Sequence, residues 1–422
     1  MAKIAVYKFG GASVKDADSI KNLAEIFRNR LRKNLIVVVS AMGKTTNALE
    51  EIIDLRLKSE DWYSKSSILE AFHLKVCDEL FESEHPVFSR IKNWFIQLKL
   101  VVERPLTKEN YDEFYDQVVS FGELIATTIV MEYLCNQGLI VLWQDARELI
   151  RTNSEFRFAK VDWERTRSAC QLQLLPKLDL FPVLTQGFIG ADHIGRTTTL
   201  GREGSDFTAA ILAACLDAGS VTIWKDVPGV LNADPKRFPN ATLFDELDYK
   251  QAAQMTFYGA SVIHPKTIKP LANKSIPLYV KSFLNPEAKG TMIYGSGKQN
   301  PIPTLIVKEK QILVTFQMTD FSFVEEQHIH QVYRELDLLK LRVNLLQTSA
   351  IGISIVIDYQ LFKLEKLVES LAKSFKVRYN EGLQLLTIIN PDEDLIRDFS
   401  ANYTIMLEQR TRTTFQLVGK PI

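Results

Sequence analysis

Three short stretches of the sequence place charged and hydroxyl side chains beside glycines, where the backbone can approach a bound molecule. The first is KFGGASV, in which Lys8 follows an apolar run and precedes Gly10 and Gly11. A strand that ends in glycines before a helix exposes backbone N–H groups at the positive end of the helix dipole, and such a place binds anions. Lys8 adds a mobile positive charge there. Taken alone, the pattern is also explained by a structural turn, because it matches neither GxGxxG nor the GxxxxGKS type of phosphate loop.

The second stretch, TTTLGREGSDFTAA, opens an almost wholly apolar helix. Ser205 is predicted to be the N-cap of this helix, and Asp206 in the first turn complements the helix dipole. Arg202 lies on a glycine-flanked loop, from which its forked guanidinium can bind a carboxylate. The alternatives are a purely capping role for Asp206 and a solvated loop charge for Arg202.

The third stretch, KDVPGVLNADPKRFPNA, follows a buried strand. The strand delivers Lys225 and Asp226 to its end, and the proline-rich loop behind it supplies Asp234 and Lys236. Basic groups in this position can meet the phosphates of a nucleotide, although solvated loop charges explain them equally, and we interpret Arg237 in that second way.

The apolar pattern predicts an α/β scaffold for these stretches. Residues 3–9 and the run NLIVVVSAM are predicted to be buried strands, and an amphipathic helix lies between them, which makes a βαβ unit. In open α/β sheets the loops beyond the carboxyl ends of the strands bind ligands. The glycine-rich loops are therefore expected to gather at one edge of a mainly parallel sheet with helices on both faces.

Glycine and proline divide the chain. No glycine occurs between Gly43 and Gly122, which predicts a helical insertion at about 50–120 with breaks near Pro86 and Pro105. The segment YGSGKQNPIP is predicted to link a catalytic domain, 1–295, to a different architecture. Residues 305–380 are expected to form a ferredoxin-like βαββαβ domain, and 381–422 a shorter unit of the same kind without its second helix.

Composition excludes several classes of protein. The chain has 422 residues, 46% of them hydrophobic and 24% charged, with 51 basic and 51 acidic side chains. This balance favours neither a nucleic-acid partner nor a membrane surface. The cysteines are predicted to be buried free thiols, no spacing indicates a metal site, and we expect a cytoplasmic protein. The four cysteines are Cys77, Cys135, Cys170 and Cys215.

The motifs, taken together, resemble those of the aspartate kinases in the amino-acid kinase family. KFGGASV resembles the opening signature of that family, and six further motifs follow in the family's order up to about residue 295. The βαββαβ tail resembles the amino-acid-sensing ACT domains of these enzymes. The other motifs are VVSAM with TTN, FGE, TQGFIG, GRTTTLGREGSD, DVPGVLNADP and YGASVIHPKTI.

The resemblance implies ATP-dependent phosphorylation of the side-chain carboxylate of L-aspartate to 4-phospho-L-aspartate, the first step in the biosynthesis of lysine, threonine and methionine. It implies that Lys8 holds the transferring phosphoryl group, that Asp206 orients catalytic lysines, that Arg202 pairs with a substrate carboxylate and that Glu123 binds the substrate ammonium. Further substrate contacts are implied for Ser40, Thr46 and Ser205. The positions implied at the nucleotide are Lys8, Gly10, Gly11, Lys225, Asp226, Leu231, Lys236 and Ser261.

The resemblance also implies ATP with Mg²⁺ held mainly by its phosphates, a homodimer through the ACT-like domains, and an amino-acid effector. The effector is expected at the loop of MTDFSFVEEQ, although an ordinary strand–helix turn explains this segment nearly as well. The implied effector residues are Met318, Asp320, Phe321 and Ser322.

Two departures from the family pattern leave alternatives open. Ala12 occupies a position where the family usually carries a hydroxyl. Ser261 occupies a position where related enzymes often carry a lysine near the ATP phosphates. We hypothesise that Lys225 replaces the charge of that missing lysine. Both departures favour a non-catalytic amino-acid sensor with a kinase-like body, whereas the retained charged residues of the motifs oppose it. Another acceptor, such as glutamate or a nucleoside monophosphate, is opposed by GRTTTLGREGSD and by the tail.

Overall fold

The structure is a computed structural model that describes residues 3–30, 33–260, 263–298, 300–320 and 322–422. It divides into two compact units. The N-terminal unit comprises Met1–Val230, Leu243–Ala253 and Val262–Gln299. The C-terminal unit comprises Leu231–Thr242, Gln254–Ser261 and Asn300–Ile422, so it takes in two short stretches that the sequence analysis had placed in the first domain.

The secondary structure alternates through the N-terminal unit and becomes rich in strands after residue 300. The strands are β1 (Ala5–Phe9), β2 (Leu35–Val39), β3 (Leu142–Gln144), β4 (Val183–Gln186), β5 (Ile189–Ala191), β6 (Thr197–Thr199), β7 (Ser220–Lys225), β8 (Glu246–Asp248), β9 (Leu278–Ser282), β10 (Thr291–Tyr294), β11 (Thr304–Met318), β12 (Val343–Ser349), β13 (Gly352–Asp358), β14 (Phe375–Ile389), β15 (Tyr403–Arg410) and β16 (Thr414–Pro421). The helices are α1 (Ala17–Arg30), α2 (Thr45–Leu57), α3 (Trp62–Leu80), α4 (Val87–Val102), α5 (Tyr111–Val119), α6 (Phe121–Asn136), α7 (Ala146–Leu149), α8 (Trp163–Gln173), α9 (Leu175–Leu178), α10 (Gly204–Cys215), α11 (Tyr249–Tyr258), α12 (Pro265–Asn273), α13 (Glu326–Leu338), α14 (Leu361–Leu371) and α15 (Glu393–Ser400).

The N-terminal unit is built on an eight-stranded sheet in the order β3-β4-β2-β1-β7-β9-β10-β8. All neighbouring pairs are parallel except β9 and β10. Every residue of β2 is buried, as expected of a parallel strand covered on both faces. Helix α10 packs against β1, β2 and β7, and α6 packs against β2, β3 and β4. The predicted mainly parallel α/β fold is confirmed.

The glycine-free stretch between Gly43 and Gly122 folds into the helices α2 to α5, which share one apolar core with α1 and α6. Inside this core, the His73 ring of α3 lies 3.3 Å from the Thr45 hydroxyl (Nε2 to Oγ1) and 2.8 Å from the Leu69 carbonyl oxygen (Nδ1 to O). Burial lowers the pKa of His73 to about 4, so the ring is neutral. The insertion thereby fixes the first residue of α2.

The C-terminal unit contains a six-stranded antiparallel sheet in the order β12-β13-β11-β14-β16-β15. Its two central strands, β11 and β14, are each 15 residues long and are shared by two halves. The later part of β11 completes a βαββαβ arrangement with α13, β12, β13, α14 and the start of β14. The beginning of β11, 304–308, pairs with 385–389 of β14 and forms the second half-sheet with β16 and β15. The second half therefore takes one of its strands from the start of the domain.

This sheet curls strongly. The Gln409 amide of edge strand β15 donates to the Leu346 carbonyl of the opposite edge strand, β12, at 3.4 Å. An apolar cluster that includes Leu345 of β12 and Leu407 of β15 fills the space between the two half-sheets. Curling reduces the unpaired strand edge that the sheet exposes.

The stretch Tyr111–Asn136 is long and apolar enough to cross a membrane by composition, but 83% of its apolar window is buried inside the protein, as in a core helix.

The prediction that all four cysteines are buried is wrong for Cys135. This residue is exposed at the end of α6, because the last turn of that helix leaves the core.

Candidate active site

The carboxyl ends of parallel strands meet at one edge of the N-terminal sheet, beside a cavity that nine of the predicted residues line. Lys8 on β1 lies in register with Val38 of β2 and Ile223 of β7, so the ends of these three strands are adjacent. The cavity beyond them has a volume of about 560 Å³. The predicted residues that line it are Lys8, Gly11, Ser40, Thr46, Glu123, Arg202, Ser205, Asp206 and Lys225.

Two lysines meet one buried carboxylate in this cavity. Lys8 Nζ lies 2.7 Å from Asp206 Oδ1, and Lys225 Nζ lies 3.8 Å from Asp206 Oδ2. The Asp206 side chain is 4% exposed, whereas those of Lys8 and Lys225 are 10% and 22% exposed. Burial raises the pKa of Asp206, but the two lysines outweigh it and hold that pKa below its ordinary value. The carboxylate is therefore ionised and orients both ammonium groups.

Close backbone contacts explain the glycines at these strand ends. A Cβ on Gly11 would lie 2.8 Å from the Ala41 carbonyl oxygen, so only glycine allows the loops after β1 and β2 to touch. A Cβ on Gly187 would lie 2.4 Å from the Cβ of Ser205. A Cβ on Gly10 would lie 3.2 Å from Lys8 Nζ, so this residue leaves space for the ammonium group. The glycines bring backbone, lysine and the start of α10 together.

Glu123 brings a second buried acid to the cavity from the first turn of α6. The Ala41 N–H donates to its Oε1 at 3.3 Å, whereas its Oε2 is buried and accepts no hydrogen bond among the described residues. Burial raises the pKa of Glu123 to about 8, although the Ala41 N–H and the Lys8 charge both act to lower it. A cationic group bound beside Glu123 would donate a hydrogen bond to Oε2 and stabilise the ionised form of the carboxyl group.

The loop before α10 carries Arg202 on the cavity wall, where its side chain is exposed. The prediction that Ser205 caps this helix is wrong. The helix begins one residue earlier, at Gly204, because Glu203 occupies the cap position in the left-handed conformation with φ 54°. Ser205 consequently lies in the first turn, where its side chain lines the cavity.

Other predicted residues lie elsewhere. Gly10 flanks Lys8, and Asp226 is exposed after β7; neither lines the cavity. Leu231 and Lys236 belong to the C-terminal unit, and Ser261 lies outside the described residues. The nucleotide-binding roles of these residues stay predictions.

The predicted effector residues lie at the end of β11. Met318 is the last residue of this strand and packs against the core under α13 and α14. Asp320 accepts hydrogen bonds from the Ser322 N–H at 3.1 Å and from its hydroxyl at 2.6 Å. Phe321 lies outside the described residues. An effector role for this turn stays a prediction.

Several residues that line or support the cavity were not predicted from the sequence. Asp116 of α5 does not line it but holds its wall, because its fully buried carboxylate accepts from the N–H groups of Arg157 and Thr199 at 2.9 and 2.7 Å. Asp116 lies among other charged and polar residues of an amphipathic helix, so its sequence context gives no signal for this role, and neither does that of the loop residues. The lining residues that were not predicted are Ala41, Gly43, Tyr115, Arg157, Phe158, Phe188, Thr199, Gly201, Glu203 and Gly204.

Comparison with known proteins agrees with this arrangement. The sequence profile of the amino acid kinase family matches residues 3–282. The lysine-sensitive aspartokinase 3 of Escherichia coli K12 is 32% identical over 93% of this chain and 88% of its own length. The crystal structure of E. coli aspartokinase III with aspartate and ADP, in its R-state, superposes with a TM-score of 0.83 at 28% identity and covers 99% of this chain and 96% of that one. The T-state of the same enzyme, with lysine and aspartate, gives a TM-score of 0.81 at 29% identity over the same shares. The chain therefore belongs to the amino acid kinase family and, within it, to the aspartokinases.

Proposed function

We propose that this protein transfers the terminal phosphoryl group of ATP to the side-chain carboxylate of L-aspartate and forms 4-phospho-L-aspartate. The observation that carries the proposal is the buried group of Lys8, Asp206 and Lys225 in the same cavity as Arg202 and Glu123. The cavity therefore offers positive charge for phosphates and both signs of charge for a small zwitterion. The related E. coli enzyme has been crystallised with aspartate and ADP, which supports the same pair of ligands here.

Positioning and charge neutralisation account for the chemistry. The acceptor carboxylate is already a nucleophile at neutral pH, so the transfer needs no strong base. Lys8 Nζ, fixed by Asp206 at 2.7 Å, is proposed to hold the oxygens of the transferring group as the bond to ADP breaks and the bond to the carboxylate forms. Lys225 is proposed to neutralise the departing phosphates. Because Asp206 is buried and ionised, both ammonium groups are oriented before substrate arrives.

The opposite poles of the acceptor match the other two charged residues. The unpartnered Oε2 of Glu123 is proposed to accept from the substrate ammonium, and the Arg202 guanidinium to bind the α-carboxylate. Ser40, Thr46 and Ser205 are proposed to supply hydroxyl or backbone contacts between them. With both poles held, the side-chain carboxylate points at Lys8.

The nucleotide is proposed to bring Mg²⁺ with it. Among the residues that the structure describes, no cluster of three histidines, cysteines or acids is able to cage a metal, and the Asp206 carboxylate is engaged by the two lysines. This donor set fits a metal held mainly by phosphate oxygens. Mg²⁺ would neutralise phosphate charge there. Gly10, Gly11, Lys225, Asp226, Leu231, Lys236 and Ser261 remain the proposed nucleotide contacts.

Release of ADP tests the proposed activity. Wild-type protein with ATP and Mg²⁺ is expected to release ADP in proportion to added L-aspartate, with much less release from L-glutamate or without an acceptor. Trapping with hydroxylamine should yield the hydroxamate expected of an acyl phosphate. ADP release that does not depend on aspartate, or that occurs only with glutamate, contradicts the proposal. Binding of aspartate without any ADP release also contradicts it and indicates a non-catalytic amino-acid sensor.

The ionisation of Glu123 predicts how activity depends on pH. In the free enzyme the carboxyl, with a pKa of about 8, is mostly neutral near pH 7 and accepts poorly from the substrate ammonium. We therefore expect kcat/KM for aspartate to rise almost tenfold per unit from about pH 6.5 and to level off above about pH 8, while kcat, which reports the complex, changes little. Steady-state rates across this range provide the measurement.

The variant Glu123→Gln is the matched control for this pH dependence. It keeps the size of the side chain but cannot ionise, so KM for aspartate should rise about tenfold to a hundredfold and the pH dependence near 8 should disappear. A profile that persists unchanged in Glu123→Gln would assign the titration near pH 8 to another group.

We also propose that the C-terminal unit binds an amino-acid effector at the turn that follows Met318. The lysine sensitivity in the name of the E. coli relative supports this role, as does the βαββαβ arrangement of this unit. The hydrogen bonds of Asp320 to Ser322 shape the turn that the effector would meet. Inhibition of ADP release by lysine, threonine or methionine tests it, and insensitivity to all three contradicts it.

A further inference from the structure

Three residues with strained backbone conformations line the cavity. Several non-glycine residues of the described chain adopt positive φ, and three of them line this cavity: Arg157 at 67°, Phe188 at 68° and Glu203 at 54°. Side-chain-bearing residues are disfavoured in this conformation and persist when the surroundings require them, often at functional sites. Glycine would relieve the strain at position 157, so the arginine there indicates a use for its side chain.

The Arg157 guanidinium is held in place at the rim of the cavity. Its Cζ lies 4.4 Å from the ring centre of Tyr115 and 5.7 Å from that of Tyr111, both of which are cation–π distances. Its Nη1 lies 3.4 Å from Asp112 Oδ1, but that carboxylate is 61% exposed, so this ion pair is screened by water. The ring of Tyr115 is in turn anchored by its hydroxyl, which donates to Glu50 Oε1 at 2.5 Å. The cation is therefore ordered by aromatic rings and a water-screened ion pair, and it also interacts electrostatically with the buried Asp116 carboxylate.

Asp116 places this cation beside the Arg202 loop. One Asp116 oxygen, Oδ2, accepts from the Arg157 N–H and also from the Thr199 N–H, only three residues before Arg202. A Cβ on Gly201 would lie 3.1 Å from the Arg157 carbonyl oxygen, so the two loops touch directly. Both arginines line the cavity.

We propose that Arg157 is a second guanidinium for the α-carboxylate of the acceptor and acts together with Arg202. This inference rests on the proposed aspartate kinase activity and adds a specificity-determining residue to it. A guanidinium that stacks on a fixed ring loses little freedom when it binds a carboxylate, so its contribution to binding is large for a rim residue. Lys8 and Lys225 are oriented by Asp206 and are proposed to bind the phosphates instead.

Three substitutions at position 157 test the proposal. Arg157→Gly and Arg157→Ala are each expected to raise KM for aspartate about fivefold to twentyfold with kcat changed less than about twofold, and Arg157→Lys to recover part of the loss. The glycine variant should also melt about 1–3 °C higher than the alanine variant, because glycine relieves the positive φ. A protein that retains its fold and yet loses affinity excludes a merely structural role.

A substrate analogue identifies the group that Arg157 binds. The α-amide of aspartate lacks the charge on the α-carboxyl, so its inhibition constant against aspartate should differ less than about twofold between wild type and Arg157→Ala. Lys160→Ala, which removes an exposed cation from the same loop, should leave KM for aspartate unchanged and so exclude a general field effect.

The outcomes separate this inference from the proposed function. If wild-type protein does not phosphorylate aspartate, the proposed function fails first. If it does so and the Arg157 variants keep the wild-type KM, or if Arg157→Ala weakens the α-amide as much as aspartate, the inference about Arg157 is wrong while the proposed function stands.

Discussion

Replacing Lys8 with alanine is expected to lower kcat about a hundredfold to a thousandfold, while KM for aspartate changes less than about threefold. Lys8 contributes mainly to the transition state, in which charge builds on the transferring oxygens, and removing one fixed donor of this kind costs about 2.7–4 kcal/mol. The fixed position of Nζ, 2.7 Å from Asp206 inside the cavity, is the structural reason. Steady-state kinetics with saturating ATP provide the measurement.

Lys15→Ala is the matched control for Lys8. Lys15 follows the same glycine loop, but its side chain is 59% exposed and pairs with the exposed Asp16 at 3.8 Å. Its removal is expected to leave kcat within about twofold of wild type, because exposed ion pairs contribute little. A near-normal kcat in Lys8→Ala, with the variant folded, would remove Lys8 from the chemistry.

Replacing Asp206 with asparagine is expected to be the second most damaging change, with kcat lowered about a hundredfold. Asparagine keeps the size of the side chain but removes the charge that orients Lys8 and Lys225, so the two ammonium groups repel each other without a counterion. ATP binding should weaken less than kcat falls, because both lysines retain their charge. Activity and the ATP KM are measured together with the melting temperature, since the buried site is also destabilised.

Two further variants sharpen this result. Asp217 lies just beyond the C-terminal end of α10, where its carboxylate is 63% exposed and pairs with Lys274 at 2.6 Å. The control variant Asp217→Asn should therefore leave kcat unchanged. The double variant Lys8→Ala with Asp206→Asn should be little worse than Lys8→Ala alone, because groups that act as a unit are not additive. Fully multiplicative losses would mean that Asp206 acts independently of Lys8.

Local patterns explain why the N-terminal fold was predictable. Apolar β-branched runs such as NLIVVVSAM indicate burial on both faces of a strand, and that burial is typical of a covered parallel sheet. The sharing of β11 and β14 between two half-sheets was not predictable in this way. It depends on the pairing of 304–308 with 385–389, and periodicity carries no information about partners so distant in sequence.

The candidate site was likewise predictable only in part. Lys8, Arg202 and Asp206 stand in motifs whose residue types already imply an anion or a carboxylate, and the sheet topology brings them together. Arg157 was missed because its position depends on a left-handed backbone and on a hydrogen bond to Asp116, neither of which is visible in the sequence. The cap of α10 was misplaced for a similar reason, since a cap at Glu203 requires a positive φ that is unusual for glutamate.

The most direct measurement is a crystal structure of the protein with ADP and L-aspartate. It should show the α-carboxylate at the Arg202 guanidinium and the ammonium at Glu123 Oε2, each at about 3 Å, with the side-chain carboxylate facing Lys8 and the ADP phosphates on its far side. Aspartate bound outside this cavity, or held with its side chain turned away from Lys8 while ADP is present, would contradict the account.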